Sequence, residues 1–122
     1  MPYDERLAER VRAALEGVPD VAEIKMFGGL CYTVRGHMAV GVNRSDLMVR
    51  INPDEHDAAL ARPHARTMDL TRRPMRGFLF VSAEGLRDAR TLARWVDRGV
   101  AYASSLPPKR PKTKRAAEPK AG

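Results

Sequence analysis

The chain has 122 residues, 43% of them apolar, and 22 Lys and Arg against 15 Asp and Glu give a formal charge of +7. This length and composition are typical of one soluble globular domain and exclude a multidomain protein. The single cysteine, Cys31, cannot form an internal disulfide or complete a cysteine-based zinc site, which predicts a reducing, cytoplasmic setting. No apolar run approaches the ~18 residues of a membrane span, so no membrane partner is expected.

The positive charge is concentrated in residues 107–122, where six cationic side chains face one carboxylate, Glu118. Prolines interrupt this segment and it has little to bury, which predicts a disordered basic tail behind a domain over 1–106. Such a tail attracts any polyanion, with an affinity that falls steeply with salt and reads no base sequence. The alternative is a solubilising tail with no partner. If the tail binds nucleic acid, the candidate contacts are Lys109, Arg110, Lys112, Lys114 and Arg115.

The first predicted element is a helix over about 4–16, because apolar residues from Tyr3 to Leu15 recur at helical spacing and Gly17 supplies a stop. Alternating polarity then predicts three antiparallel strands, with a tight turn at Arg35 and Gly36 between the first two. These strands are predicted over 30–34, 38–42 and 47–51, with 23–27 as an entering strand segment.

The second half begins with a helix signal, an Asn52 cap followed by Pro53, which predicts a short helix over 53–61. Strands at 67–70 and 78–81 and a last helix over 88–105 follow. Gly99 costs that helix about 1 kcal/mol, which predicts close packing against a neighbour. The element order predicts an α+β fold, a two-layer sandwich of the type α-β(3)-α-β(2)-α with one antiparallel sheet and helices on one face.

Strand alternation divides the side chains between two faces of this sheet. The face with the larger apolar side chains is predicted to bind the helices, and it carries Leu30, Tyr32, Val34, Met38, Val40, Val42, Leu47, Val49 and Ile51. The other face would carry Cys31, Thr33, Ala39, Gly41, Met48 and Arg50. That mixture is too apolar for a well-solvated surface, so a homodimer through this face or a sheet edge is one expectation.

Four stretches, in one unbroken order, closely resemble the N-terminal domain of the TfoX/Sxy family: 25–30 (KMFGGL), 36–42 (GHMAVGV), 47–51 (LMVRI) and 73–81 (RPMRGFLFV). The resemblance covers roughly 3–107, and it implies the same α-β(3)-α-β(2)-α fold with a single sheet. Named members regulate competence genes with a cyclic-AMP receptor-type activator and carry a second, helical domain. The basic tail stands in place of that domain, so a single-domain member is expected, and the family brings no catalytic residues.

The residues that could carry chemistry are few. Cys31 and His37 could pair as thiol and base, but a small apolar residue beside a turn histidine is the simpler interpretation. His37, His56 and His64 are too dispersed for a metal motif. Neither catalytic residues nor a cofactor or metal are therefore predicted.

A cluster of arginines, Arg66, Arg72, Arg73 and Arg76, surrounds Asp69 in one loop, and Arg50 at a strand end could lie near it. Guanidinium groups suit phosphate or carboxylate, so these residues are a candidate anion or nucleic-acid site. The alternative is a solvated loop that pairs with acids of the first or second helix.

The leading hypothesis is a non-enzymatic binding domain, a regulatory accessory linked to transcriptional regulation. Its folded part would contact an unidentified protein, and its tail would attract nucleic acid. One alternative is a small-molecule or anion-binding domain that uses the Arg66–Arg76 loop in an ordered pocket reaching Cys31 or Met48. Another is a purely structural dimer module.

Overall fold

A computed structural model describes residues 3–26, 28–68 and 76–107. Within them, three α-helices cover one face of a single antiparallel sheet, which confirms the α+β class. The helices are α1 (Glu5–Ala14), α2 (His56–Leu60) and α3 (Ala89–Ser105). The strands are β1 (Val21–Met26), β2 (Gly29–Val34), β3 (His37–Asn43), β4 (Asp46–Arg50), β5 (Ala65–Thr67) and β6 (Phe78–Val81), in the spatial order β1-β2-β3-β4-β6-β5.

Two strands differ from the prediction. The segment expected to enter at 23–27 is a full strand that begins at Val21, so four described strands precede α2 instead of three. It was not predicted firmly because it is an edge strand with five of its six residues exposed. The sequence signal for a strand is the alternation of apolar and polar residues that accompanies burial of one face. The strand expected at 67–70 is β5, which ends at Thr67.

The helix ends follow the capping signals in the sequence. Asp4 caps α1 by accepting hydrogen bonds from the amides of Arg6 and Leu7, at 2.9 and 3.2 Å. Asn52 accepts from the Asp54 amide at 2.9 Å, although the first turn after it is a 3-10 turn that continues into α2. Side-chain oxygens thus satisfy amides that have no partner inside the helix.

The main core lies between the helices and the sheet, and α3 crosses β3 closely at Gly99. A Cβ placed on Gly99 would lie 2.2 Å from the Ala39 carbonyl oxygen and 2.8 Å from Val40 Cγ1. The predicted close packing is therefore confirmed. Ala103, one turn further along α3, packs against Val34 and Ala39 in the same region.

A β-bulge corrects the predicted division of the two faces. Thr33 pairs with Met38 but Tyr32 pairs with Val40, so Ala39 is an extra residue in β3. One extra residue shifts the alternation of side chains by one position, so strict alternation assigns the residues on one side of the bulge to the wrong face of the sheet. Met38 therefore packs on the face away from the helices, and Ala39 lies beneath α3.

Pro107, the last described residue, lies beside the turn between β2 and β3. There the Pro107 carbonyl oxygen lies 2.6 Å from His37 Nε2, which ties the end of α3 to the start of β3. The remaining predicted tail, 108–122, lies outside the described residues. In the described ranges, no helix combines the length and the apolar character that a membrane crossing requires.

Candidate functional site

Arg66, the first of the predicted anion-binding arginines, is already held within the fold. Its Nη2 donates to the Asp46 carboxylate at 2.5 Å, and its Nε donates to Ser82 Oγ at 3.3 Å. The guanidinium also lies 5.2 Å from the centre of the Phe80 ring, within cation-π range. Asp46 therefore balances the charge of Arg66.

The other described arginines of the prediction, Arg76 and Arg50, have partners different from those of Arg66. Arg76 Nη1 is 3.5 Å from the Asp57 carboxylate on α2, as expected if the loop pairs with acids of a helix. Arg50 lies over two rings, 5.6 Å from that of Phe78 and 5.4 Å from that of Tyr102. Arg72, Arg73 and the tail residues Lys109, Arg110, Lys112, Lys114 and Arg115 lie outside the described residues, so their contacts stay a prediction.

The pocket expected between the arginines and Cys31 or Met48 is filled by side chains. Cys31, Met48 and Met68 are fully buried and pack with Phe80 on the face away from the helices. Burial raises the pKa of the Cys31 thiol, which disfavours the thiolate needed for nucleophilic chemistry. This region is a small second core.

The three histidines have separate structural contacts. His37 contacts Pro107, as described above, and the buried His56 accepts a hydrogen bond from the Gly77 amide at 2.9 Å through Nδ1. His64 adopts a left-handed backbone conformation, with φ of 68°, and packs against Gly85. The described parts of the chain contain no group of three or more His, Cys, Asp or Glu side chains arranged to hold a metal ion.

A different set of arginines lines a cleft along α3, and sequence reasoning did not single it out. The cleft has a volume of about 750 Å³. Three segments form it: residues 62–64 after α2, the 3-10 turn Ala83–Leu86, and the first half of α3. The loops touch at one end, because a Cβ on Gly85 would lie 2.7 Å from His64 Cβ. Four arginines line it: Arg62, Arg87, Arg94 and Arg98.

These arginines differ from Arg66 in their electrostatic surroundings. Within the described residues, no carboxylate lies within ion-pair distance of any of the four. Three acids also line the cleft, but Asp88 is occupied as the N-cap of α3, accepting from the Arg90 amide at 3.3 Å and from Thr91 Oγ1 at 3.2 Å. Glu84 and Asp97 are the other two. The cleft therefore contains four guanidinium groups and three carboxylates, one of which already caps α3.

The floor of the cleft is aromatic. Trp95 is almost wholly buried, and the Arg98 guanidinium lies 5.4 Å from the centre of its ring. Trp and Arg are the residue types that contribute most often to binding energy at protein interfaces. An acidic segment of another protein could pair with the arginines of the cleft.

One signal for this cleft was present in the sequence. Arg90, Arg94 and Arg98 are four residues apart and so follow one line along a helix. The sequence could not predict that Arg62 and His64 line the same cleft, because only the tertiary fold brings their loop to α3.

A family model described as the TfoX N-terminal domain matches residues 13–103, about three quarters of the chain. No curated protein and no solved structure matches the chain significantly. The match includes all six strands and most of α3, so it agrees with the resemblance found in the sequence.

Proposed function

Because the chain belongs to the TfoX N-terminal domain family, we propose that it is a non-enzymatic accessory in transcriptional regulation that works by binding. Its folded body contacts a protein through the α3 cleft. Its basic segment, 108–122, adds weak affinity for nucleic acid that does not depend on base sequence. Both contacts are made in a reducing, cytoplasmic setting.

The observation that carries the protein contact is the unbalanced set of arginines in the cleft. A guanidinium group with no carboxylate partner inside the fold can pair with one on a partner without first breaking an internal ion pair. Arg94 and Arg98 lie one helical turn apart beside Trp95, so one acidic segment can reach both. The partner surface is therefore expected to present carboxylates.

The nucleic-acid contact is supported by the charge of the segment that follows the fold. Five cationic side chains lie between Lys109 and Arg115, directly after the Pro107 contact with His37. Each phosphate that they neutralise releases condensed counterions, and this gives an affinity that depends on salt and not on sequence. The folded body and the segment can thus be tested separately.

The protein contact is tested by charge reversal on α3. Arg94→Glu places an acid in the cleft, and we expect it to abolish capture of the partners that the wild-type chain retains from a cell extract. Arg90→Glu is the matched control, because Arg90 lies on the same helix, is exposed, and does not line the cleft. If both variants capture the same proteins as wild type, the cleft is not the contact surface.

The nucleic-acid contact is tested in the full chain by fluorescence anisotropy with a labelled DNA duplex over a series of salt concentrations. Changing Lys109, Arg110, Lys112, Lys114 and Arg115 to Gln is expected to weaken binding and to reduce the slope of log affinity against log salt by up to about 4. Glu118→Gln, the control within the same segment, should bind at least as tightly as wild type. An unchanged affinity and slope in the fivefold variant would exclude this role.

A further inference from the structure

The free edge of the sheet at β1 combines unpaired backbone with exposed apolar side chains. β1 pairs with β2 on one side, and its other side is the end of the strand order. Ile24 and Met26 are each 44% exposed, and they are the two large hydrophobic side chains exposed in the described residues. A long exposed edge with apolar side chains is a template for adding another strand.

The opposite edge of the sheet, β5, is less suited to this. It has three residues against six in β1. The chain after it turns inward, where Met68 is fully buried, and Arg66 in its centre is held by Asp46 and Phe80. Short edge strands are a common protection against strand addition.

A hydrogen bond at the open end of the hairpin fixes which backbone groups of β1 point outward. The Arg35 amide donates to the Asp20 carbonyl oxygen at 3.1 Å, which makes these residues a hydrogen-bonded pair at the open end of the β1 and β2 ladder. Hydrogen-bonded pairs alternate along an antiparallel ladder, so Ala22, Ile24 and Met26 also bond to β2. The backbone groups of the residues between them, Glu23 and Lys25, face the free edge.

We propose that β1 pairs with β1 of a second copy of this chain, antiparallel and with the two-fold axis at Ile24. In this register, Glu23 lies opposite Lys25 of the partner subunit, and the relation repeats on the other side of the axis. The two Ile24 side chains meet on the face away from the helices, where Ile24 pairs with Cys31 within its own subunit. Twelve strands then form one continuous sheet.

The charges select this register from its neighbours. The outward N–H and C=O groups belong to every second residue of β1. The two strands can therefore slide past each other only in steps of two residues if these groups are to remain paired. Moving the axis to Glu23 places the two Glu23 side chains opposite each other, and moving it to Lys25 does the same for the lysines. Like charges directly opposite destabilise a strand pair, whereas opposite charges stabilise it.

The surroundings of the two charged residues suit the pairing. Arg12 on α1 holds the Glu23 carboxylate with two hydrogen bonds, of 2.7 and 3.1 Å, and this contact lowers the pKa of Glu23. Glu23 therefore stays ionised at neutral pH, with its position fixed at the edge. Lys25 is exposed and lies within ion-pair distance of no carboxylate in the described residues, so the partner subunit would supply one.

The decisive test is a symmetric cysteine cross-link in the full chain. Ile24→Cys in a Cys31→Ala background is expected to give a disulfide-linked dimer, because residues at the axis form a non-hydrogen-bonded pair with Cα atoms about 4.5 Å apart. Ala22→Cys in the same background is the control. Its two copies would be separated by four residues of strand, roughly 14 Å, and should not cross-link. Equal cross-linking at both positions, or none at Ile24, would overturn the register.

A charge exchange tests the same pairing without cysteines. An interface of two six-residue strands is small, so reversible association at high concentration is expected in sedimentation velocity. Lys25→Glu alone and Glu23→Lys alone should each weaken association about tenfold, because each places like charges opposite. An equimolar mixture of the two variants should recover it, since each strand then faces the opposite charge. A wild-type chain that stays monomeric, or a mixture that stays as weak as its components, contradicts the proposal.

Discussion

The two faces of the sheet are covered in different ways. On the helix face, α1 and α3 bring long apolar side chains onto the strands, and one continuous cluster of buried residues extends from Leu7 to Val96. On the other face, the buried cluster has four members among the described residues, and the sheet supplies three of them: Cys31, Met48 and Phe80. The fourth, Met68, comes from the chain just after β5.

Within the described residues, the buried cluster on this second face contains no residue from a helix. Gly41 leaves room for Met48, because a Cβ on Gly41 would lie 2.6 Å from Met48 Cε. Flexible Met side chains fill irregular gaps well. The second face is therefore a thin core near β4 and β6, and it becomes exposed towards Ile24 and Met26 on β1.

The largest expected effect lies on the helix face at Gly99. Gly99→Ala would place a methyl group against the Ala39 backbone, which cannot rotate away, so α3 must move from the sheet. We expect a loss of about 2 to 3 kcal/mol in the free energy of unfolding, even though Ala favours helix over Gly by about 1 kcal/mol. Urea denaturation measures this, with the exposed Ser104→Ala on the same helix as control. A stability within 0.5 kcal/mol of wild type, on the order of a surface change, would show that the contact is loose.

The next prediction compares the two cores directly. Leu47→Ala removes a fully buried side chain from the helix face, and Met68→Ala removes one from the second face. Both belong to a class of substitution that costs about 2 to 5 kcal/mol. We expect Leu47→Ala to cost about 3 kcal/mol and Met68→Ala about 2, because Leu47 belongs to the larger buried cluster and Met68 to the smaller one. A larger loss for Met68→Ala would show that the second face is the more tightly packed.

The prediction from sequence succeeded where one face of an element is continuously buried. The apolar spacing of α1 and α3 and the Asn52 cap are local signals, and the structure agrees with them. The bulge at Ala39 is not local. It depends on the fit of β3 beneath Gly99 and Ala103 of α3, and alternation alone assigned Met38 and Ala39 to the wrong faces.

The candidate site was harder to predict than the fold for the same reason. Arginine density along the chain pointed to the 66–76 loop, but Arg66 and Arg76 find carboxylates on β4 and α2. Residue counts cannot show which cations are balanced, because the balancing acids are about 20 residues away in sequence. By contrast, none of the four arginines of the α3 cleft has an ion pair within the described residues.

The smallest effect concerns adjacent residues that face opposite sides of the sheet, Cys31 and Tyr32. Burial raises the pKa of both side chains, and for Tyr32 the neighbouring Glu23 carboxylate raises it further. Above pH of about 8.5 for cysteine and 10 for tyrosine, the unfolded chain releases these protons while the folded chain keeps them. The unfolded state then binds fewer protons, so the free energy of unfolding must fall as the pH rises.

The two faces can be separated by measuring unfolding in urea at pH 7 and pH 11. Tyr32→Phe removes the titrating group on the helix face and should lessen the alkaline loss, whereas Cys31→Ala should do so on the second face. Tyr32→Phe is expected to change stability at pH 7 by no more than about 1 kcal/mol, because the buried hydroxyl has no hydrogen-bond partner of good geometry among the described residues. If neither variant alters the difference between the two pH values, the alkaline loss arises elsewhere. If only Tyr32→Phe does, the second face admits solvent to the Cys31 thiol, and its thin core opens more readily than the helix face.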